Sequence, residues 1–193
     1  MIRNLARFFM VALFILSNTN LYAAPETLTL DTKHSYVLWR VEHLGFSTQA
    51  GKWYISNGTV TLDKDNPQTS KVEVVIDLAN VTTGIPELDK HLQGPLFFDV
   101  TKYPKATFVS KKVNVLSENT AKVEGLLTLH GVTKLVTLDV TLNKVGKNPI
   151  TNKMTVGFSA TTTIKRSSFG IKTLIPQVGD DVKIEIGAEA YKA

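Results

Sequence analysis

The chain of 193 residues contains no cysteine. That absence removes disulfide stapling, thiolate catalysis, zinc ribbons and iron–sulfur ligation together. Arginine is scarce as well: Arg3, Arg7, Arg40 and Arg166 are the only four. The net charge is +5 and the pI about 9.3, but the positive charge is almost wholly dispersed lysine. Lysine lacks the planar fork that grips phosphate and guanine bidentately, so no nucleic-acid partner is expected. Long apolar runs are missing too. The longest, Phe8–Leu16, has nine residues and would reach only about 13 Å as a helix, far short of a ~30 Å hydrocarbon core. Stable membrane insertion is therefore not expected. No GxSxG elbow, phosphate loop, HExxH or Gly-rich dinucleotide fingerprint occurs, and no carboxylate pair stands out for hydrolysis. What is present is an ordinary globular composition, 43% hydrophobic, in a length that suits one domain with a real core.

The amino terminus reads as an address. Arg3 and Arg7 make a positive, acid-free start before the apolar run, and a polar break at Ser17–Asn20 leads into Leu21-Tyr22-Ala23-Ala24. This is the pattern of a cleavable secretory signal over residues 1–23, with the cut placed after Ala23, since a cut after Ala24 would leave Pro25 at the new terminus. Its removal takes away two positive charges and no acids, so +5 falls to +3. Export without cysteine points to a bacterial periplasm, with residues 24–193 forming one domain.

From residue 27 onward the hydropathy alternates with a period of two. In Tyr36–His43, Val37, Trp39, Val41 and His43 share one face, although alternation alone does not say which face is inward. Lys71–Leu78, Val123–Leu129, Leu135–Leu142, Thr155–Ile164 and Val182–Ala190 behave similarly. Turn chemistry separates them at Asp65-Asn66-Pro67, Ser117-Glu118-Asn119, His130-Gly131, Gly146–Pro149 and Gly179-Asp180. Asn57-Gly58 fits either a hairpin turn or a bulge within one long strand. One segment breaks the rhythm: Ile85–Leu92 has apolar residues at i, i+3 and i+7, Pro86 at the first helical position and Gly94 as a stop, which predicts a short helix. Eight or nine strands in about 170 residues suggest a closed antiparallel barrel or a sandwich, and a barrel would remove exposed edges.

Four histidines, His34, His43, His91 and His130, show no pairing at i, i+2 on a strand or i, i+4 on a helix. Structural hydrogen bonding is thus expected of them, and no metal or other cofactor. The remaining chemistry is apolar. Trp39, Trp53, Phe46, Phe97, Phe98, Phe108, Phe158 and Phe169 would either fill a solid core or line a cavity for an apolar ligand.

Several strings resemble the YceI-like family, also called polyisoprenoid-binding lipocalin-like proteins. They are Asp31-Thr32-Lys33-His34-Ser35 with His43-Leu44-Gly45; Gly58–Asp63; Thr82-Thr83-Gly84 leading to Asp89–Leu92 and Phe97–Val100; Tyr103–Phe108; Gly125–Thr133; Ile164–Ile171; and Val178–Val182, in the family's order. The resemblance spans the chain beyond the signal. It implies an all-β, eight-stranded antiparallel lipocalin-like barrel with a short helical insertion near residues 85–93. It also implies a non-enzymatic binding or carrier role for an isoprenoid lipid of polyprenyl or ubiquinone type, and a homodimer is reasonable. Candidate ligand contacts are Trp39, His43, Phe46, Trp53, Phe98, Phe108, Phe158, Phe169 and Ile171. Arg166 would either bind a polar head group or brace the barrel.

Overall fold

The computed structural model describes residues 24–193, so the signal-sequence reading of residues 1–23 lies outside the described residues. Nine strands form one antiparallel sheet: β1 (Glu26–Leu30), β2 (Tyr36–His43), β3 (Ser47–Leu62), β4 (Lys71–Asp77), β5 (Lys105–Val115), β6 (Thr120–Leu129), β7 (Val132–Lys147), β8 (Met154–Lys165) and β9 (Val178–Tyr191). Strands β2 through β9 each pair with the next, and β2 also pairs with β9, which closes an eight-stranded barrel. β1 is not a ninth stave. It continues the line of β2 across the turn at residues 31–35, pairing with the far half of β3 and with Thr29↔Tyr191 and Leu30↔Ala190 on β9.

Closure rests on the length of β3. Its first half pairs with β2 and its second half with β4, which a hairpin at Asn57-Gly58 would forbid. The structure resolves that ambiguity as a bulge: the register shifts between Ile55 and Asn57 while the strand runs on. Glycine is required at position 58 because a Cβ there would come within 2.4 Å of the Leu30 side chain and 2.7 Å of the Glu73 carbonyl. A second irregularity corrects the sequence reading. Gly179-Asp180, expected as a turn, lies inside β9, where the chain bulges between the pairings Val41↔Val182 and His43↔Val178. The extra residues are absorbed by a bulge, so turn-forming chemistry does not turn the chain.

The predicted helix is α1 (Pro86–Gln93). Proline at its start offers no donor to leave unsatisfied, and the Gly94 N–H closes the last turn on the His91 carbonyl at 3.1 Å. The insertion carrying α1 is tied to β3 by reciprocal Lys52–Thr82 backbone hydrogen bonds, both 2.9 Å. Asp89 accepts from the Thr83 N–H at 2.7 Å and its hydroxyl at 2.6 Å. α1 thereby lays Leu88 and Leu92 across one end of the barrel, where burying a leucine contributes about 2 kcal/mol.

Buried side chains form two clusters. Leu28, Leu30, Val37, Ile55, Val60, Val156 and Ala190 make one, on the β1 side. Trp39, Trp53, Leu78, Val81, Leu92 and Ala106 make the other, beneath α1. Ile76 packs against both.

Candidate lipid-binding interior

Cross-strand register decides which face of each strand looks inward. Directly opposed residues share a face, so Val37 with Ile186, Trp39 with Ile184 and Val41 with Val182 all point into the barrel. This selects the Val37–Trp39–Val41–His43 face as the inner one. Trp39 and Trp53 are diagonal neighbours on adjacent strands, their ring centroids 6.1 Å apart and tilted by 42°. Phe98, delivered by the segment after α1, meets Trp53 edge-on at 5.1 Å and 79°, a favourable arrangement for opposed ring quadrupoles. The Trp39 indole lies over Gly51, where a Cβ would be 2.2 Å from Cζ2. The two tryptophans differ in one respect. Trp53 Nε1 donates to the Leu78 carbonyl at 3.2 Å, whereas Trp39 Nε1, in a side chain 7% exposed, has no partner. Leaving a buried N–H unpaired costs on the order of 1–3 kcal/mol.

The other expected contacts divide. Phe108 is buried against Gly125, and Phe158, half-buried, belongs to the β1-side cluster with Leu142 and Ala188. His43 is half-buried at the end of β2. Phe169 and Ile171, 2% and 3% exposed, pack around the 3-10 turn Arg166–Phe169, where His130 Nδ1 donates to the Phe169 carbonyl at 3.1 Å. Phe46 is not a lining residue: it sits in the turn between β2 and β3 and is 91% exposed. A three-residue turn has no inward face to offer it.

For Arg166 the structure selects the brace. Its Nε donates to the Gly179 carbonyl at 2.8 Å, Nη1 to Thr173 at 2.8 Å and Ile171 at 3.3 Å, and Nη2 to Val178 at 2.8 Å. Four carbonyls thus occupy most of a guanidinium with five N–H groups, and no fork is left for a head group. Burial lowers its pKa, opposed by the nearby Asp180 charge. Asp180 accepts from the Ser167 N–H and hydroxyl, both at 2.8 Å. This supports the 3-10 turn without an Arg166–carboxylate contact two residues along.

The sequence model for the YceI-like domain matches residues 28–190. This chain belongs to the YceI-like family. It is 41% identical to a UPF0312 protein of Pseudomonas putida (strain W619) over 158 residues, 82% of each chain. Among solved structures it is similar to BcnA of Burkholderia cenocepacia, with a TM-score of 0.74, 27% identity and coverage of 83% of this chain and 98% of that one. A polyisoprenoid-binding domain from Saccharophagus degradans shares the fold at a TM-score of 0.66 and 14% identity, covering 86% of this chain and 98% of that one.

In this YceI-like barrel the inner wall extends well beyond the residues singled out from sequence. Val136, Leu138 and Val140 of β7 oppose Gly125, Val123 and Ala121 of β6 and face inward with them. Together with Ile184 and Ile186 of β9 and Val74 and Ile76 of β4, they are half-buried rather than fully packed. Strand alternation could have found all of them.

One polar group of residues is not marked by any local spacing in the sequence, because Glu189 is far along the chain from Asp31 and His34. Asp31, His34 and Glu189 each bring one possible ligand atom within 4.8 Å of the others. His34 Nδ1 and Asp31 Oδ2 are already hydrogen-bonded at 2.8 Å, which raises the pKa of His34 and lowers that of Asp31. Fully buried Ser35 staples this turn to β9: its hydroxyl donates to the Glu189 carbonyl at 3.2 Å and accepts the Glu189 N–H at 3.0 Å.

Proposed function

We propose that this YceI-like protein is a non-enzymatic binding protein that holds an isoprenoid lipid inside its barrel and carries or stores it in the periplasm. The half-buried inner wall carries the reading. Val136, Leu138, Val140, Ile184 and Ile186 point inward between hydrogen-bonded neighbours, yet keep accessible surface. In a closed barrel that surface faces the lumen, and its lining is aliphatic. An eight-stranded barrel has room for one slender ligand. At about 25 cal/mol per Å², a few hundred Å² of prenyl surface gives useful affinity. The shared fold with a polyisoprenoid-binding domain supports the same reading. Among the described residues no helix is long and apolar enough to cross a membrane, and the basic, apolar amino-terminal segment supports export.

The test is extraction of protein purified from its native host. Organic solvent should release one dominant prenyl species detectable by mass spectrometry, and the protein should be recovered from the periplasmic fraction beginning at Ala24. Empty protein with no affinity for quinones or prenyl phosphates would overturn the lipid assignment.

A further inference from the structure

The indole N–H of Trp39 is the one buried side-chain polar group among the described residues that has no partner. Its neighbour Trp53 shows that the fold can satisfy such a group, since a carbonyl is brought to it at 3.2 Å. The Trp39 position is shaped around the ring. Gly51 opposes it on β3, and any side chain there would collide with Cζ2, Cε2 and Nε1. It sits beside Trp53 in the buried cluster against which Val41, Val182 and Phe98 pack, with half-buried Ile184 directly opposite on β9. Among the described residues the only charged side chain that is buried is Arg166. Its donors are spent on four carbonyls. A donor without an acceptor, at the border between the aromatic cluster and the aliphatic wall, is matched by a ligand oxygen. The lack of a counter-ion narrows the kind of oxygen, because an anionic head would be desolvated there uncompensated.

We propose that Trp39 is the in-barrel hydrogen-bond donor for an uncharged oxygen acceptor, a carbonyl or hydroxyl, on the bound lipid. The assignment rests on the lipid-binding reading above and sharpens it. The preferred ligand is an oxygen-bearing neutral isoprenoid that enters head first, and neither a bare hydrocarbon nor a diphosphate is placed at Trp39. The Trp39 nitrogen is closely covered by its neighbours, so engagement requires the indole to tilt away from Gly51 as the ligand arrives.

The chain contains two tryptophans, so its indole 1H–15N spectrum holds two signals, and Trp53 serves as the internal reference. Chain beginning at Ala24, stripped of lipid, is titrated separately with decylubiquinone, squalene and geranylgeranyl diphosphate. The Trp39 signal, identified by its loss in Trp39→Phe, should move downfield with decylubiquinone and far less with squalene. Trp39→Phe should weaken decylubiquinone binding about tenfold more than it weakens squalene binding. If Trp39→Phe does not fold, Trp53→Phe assigns the two indole signals by elimination and the wild-type titrations decide. A Trp39 signal that stays put at saturating decylubiquinone overturns the proposal and leaves lipid binding standing. So does a nuclear Overhauser contact to a trapped water that survives saturation. Diphosphate moving the signal as far as quinone overturns the neutral-head assignment. Failure of all three probes to bind removes the lipid-binding reading itself.

Discussion

Beneath α1 the barrel is packed with Trp39, Trp53, Phe98, Leu78 and Leu92, whereas the wall built by β7 and β9 presents Val136, Leu138, Val140, Ile184 and Ile186 half-buried. Both regions are lined from the same alternation of strand residues. They differ in what stands opposite. The aromatic end receives a second layer from the insertion, since Val81, Leu92, Phe97 and Phe98 all lie outside the strands. The aliphatic wall is met by strand residues instead: Ile184 and Ile186 pack against the cluster of Leu28, Leu30, Val37, Ile55 and Val60. One end of the barrel is therefore closed by a second layer from outside the strands, and the wall is packed by strand residues alone and stays half-buried.

Substitutions can break or sharpen this contrast. The largest effect is expected at Arg166, which binds the 171–179 segment to the end of β8. Arg166→Ala leaves four carbonyls without their donor and should cost about 3–5 kcal/mol in urea unfolding. A loss under about 1 kcal/mol would mean that the guanidinium is not holding that segment.

Next, Leu92→Ala at the closed end should cost about 2–4 kcal/mol, the range for a fully packed leucine. Val140→Ala on the wall should cost less than half as much, because part of the valine surface is not packed in the empty protein. Equal penalties would erase the difference between the two regions. Val140→Phe offers the complementary measurement. It should leave the melting temperature nearly unchanged while abolishing lipid uptake in the extraction assay. An overpacking penalty of about 1–3 kcal/mol would show that the lumen is already full.

The smallest effect concerns the outer turn at Asp31 and His34, away from both regions. His34, raised by its hydrogen bond to Asp31, gives stability that is present below its ordinary pKa and fades as pH rises through the raised value. Asp31, lowered by the same bond, gives stability that is present above the ordinary carboxylate range and fades as pH falls through the lowered value. The pair is thus most effective between about pH 4 and 6.5. Asp31→Asn should bring the His34 midpoint, followed by its ring-proton NMR signal, back toward about 6.5. An unchanged midpoint would dissociate the two residues.

The elements themselves were legible in the sequence for local reasons. Period-two alternation marks β2, β4 and β6 to β9 because their two faces meet different surroundings, and Pro86 with Gly94 brackets α1 because each acts through its own backbone. The family strings carried the barrel and the isoprenoid expectation. The strand ends were harder to read. Asn57-Gly58 and Gly179-Asp180 have turn chemistry but sit in bulged strands, because pairing with neighbours far along the chain outweighs a local preference. Phe46 lies outside for a related reason: an aromatic next to a strand is not thereby inside, and only the register shows that the inner face of β2 ends at His43.

What the sequence determined alone was therefore exclusion and rhythm: no thiol chemistry, only four arginines, strands nearly throughout residues 27–193 and one short helix. These depend on residue type and spacing, which tertiary contacts do not alter. Tertiary structure decided the rest. It showed which face of β2 looks inward, spent Arg166 on four carbonyls, satisfied Trp53 and left Trp39 without a partner. Each of those outcomes depends on a group distant in the chain arriving, or failing to arrive, within hydrogen-bonding distance, and no local pattern encodes that.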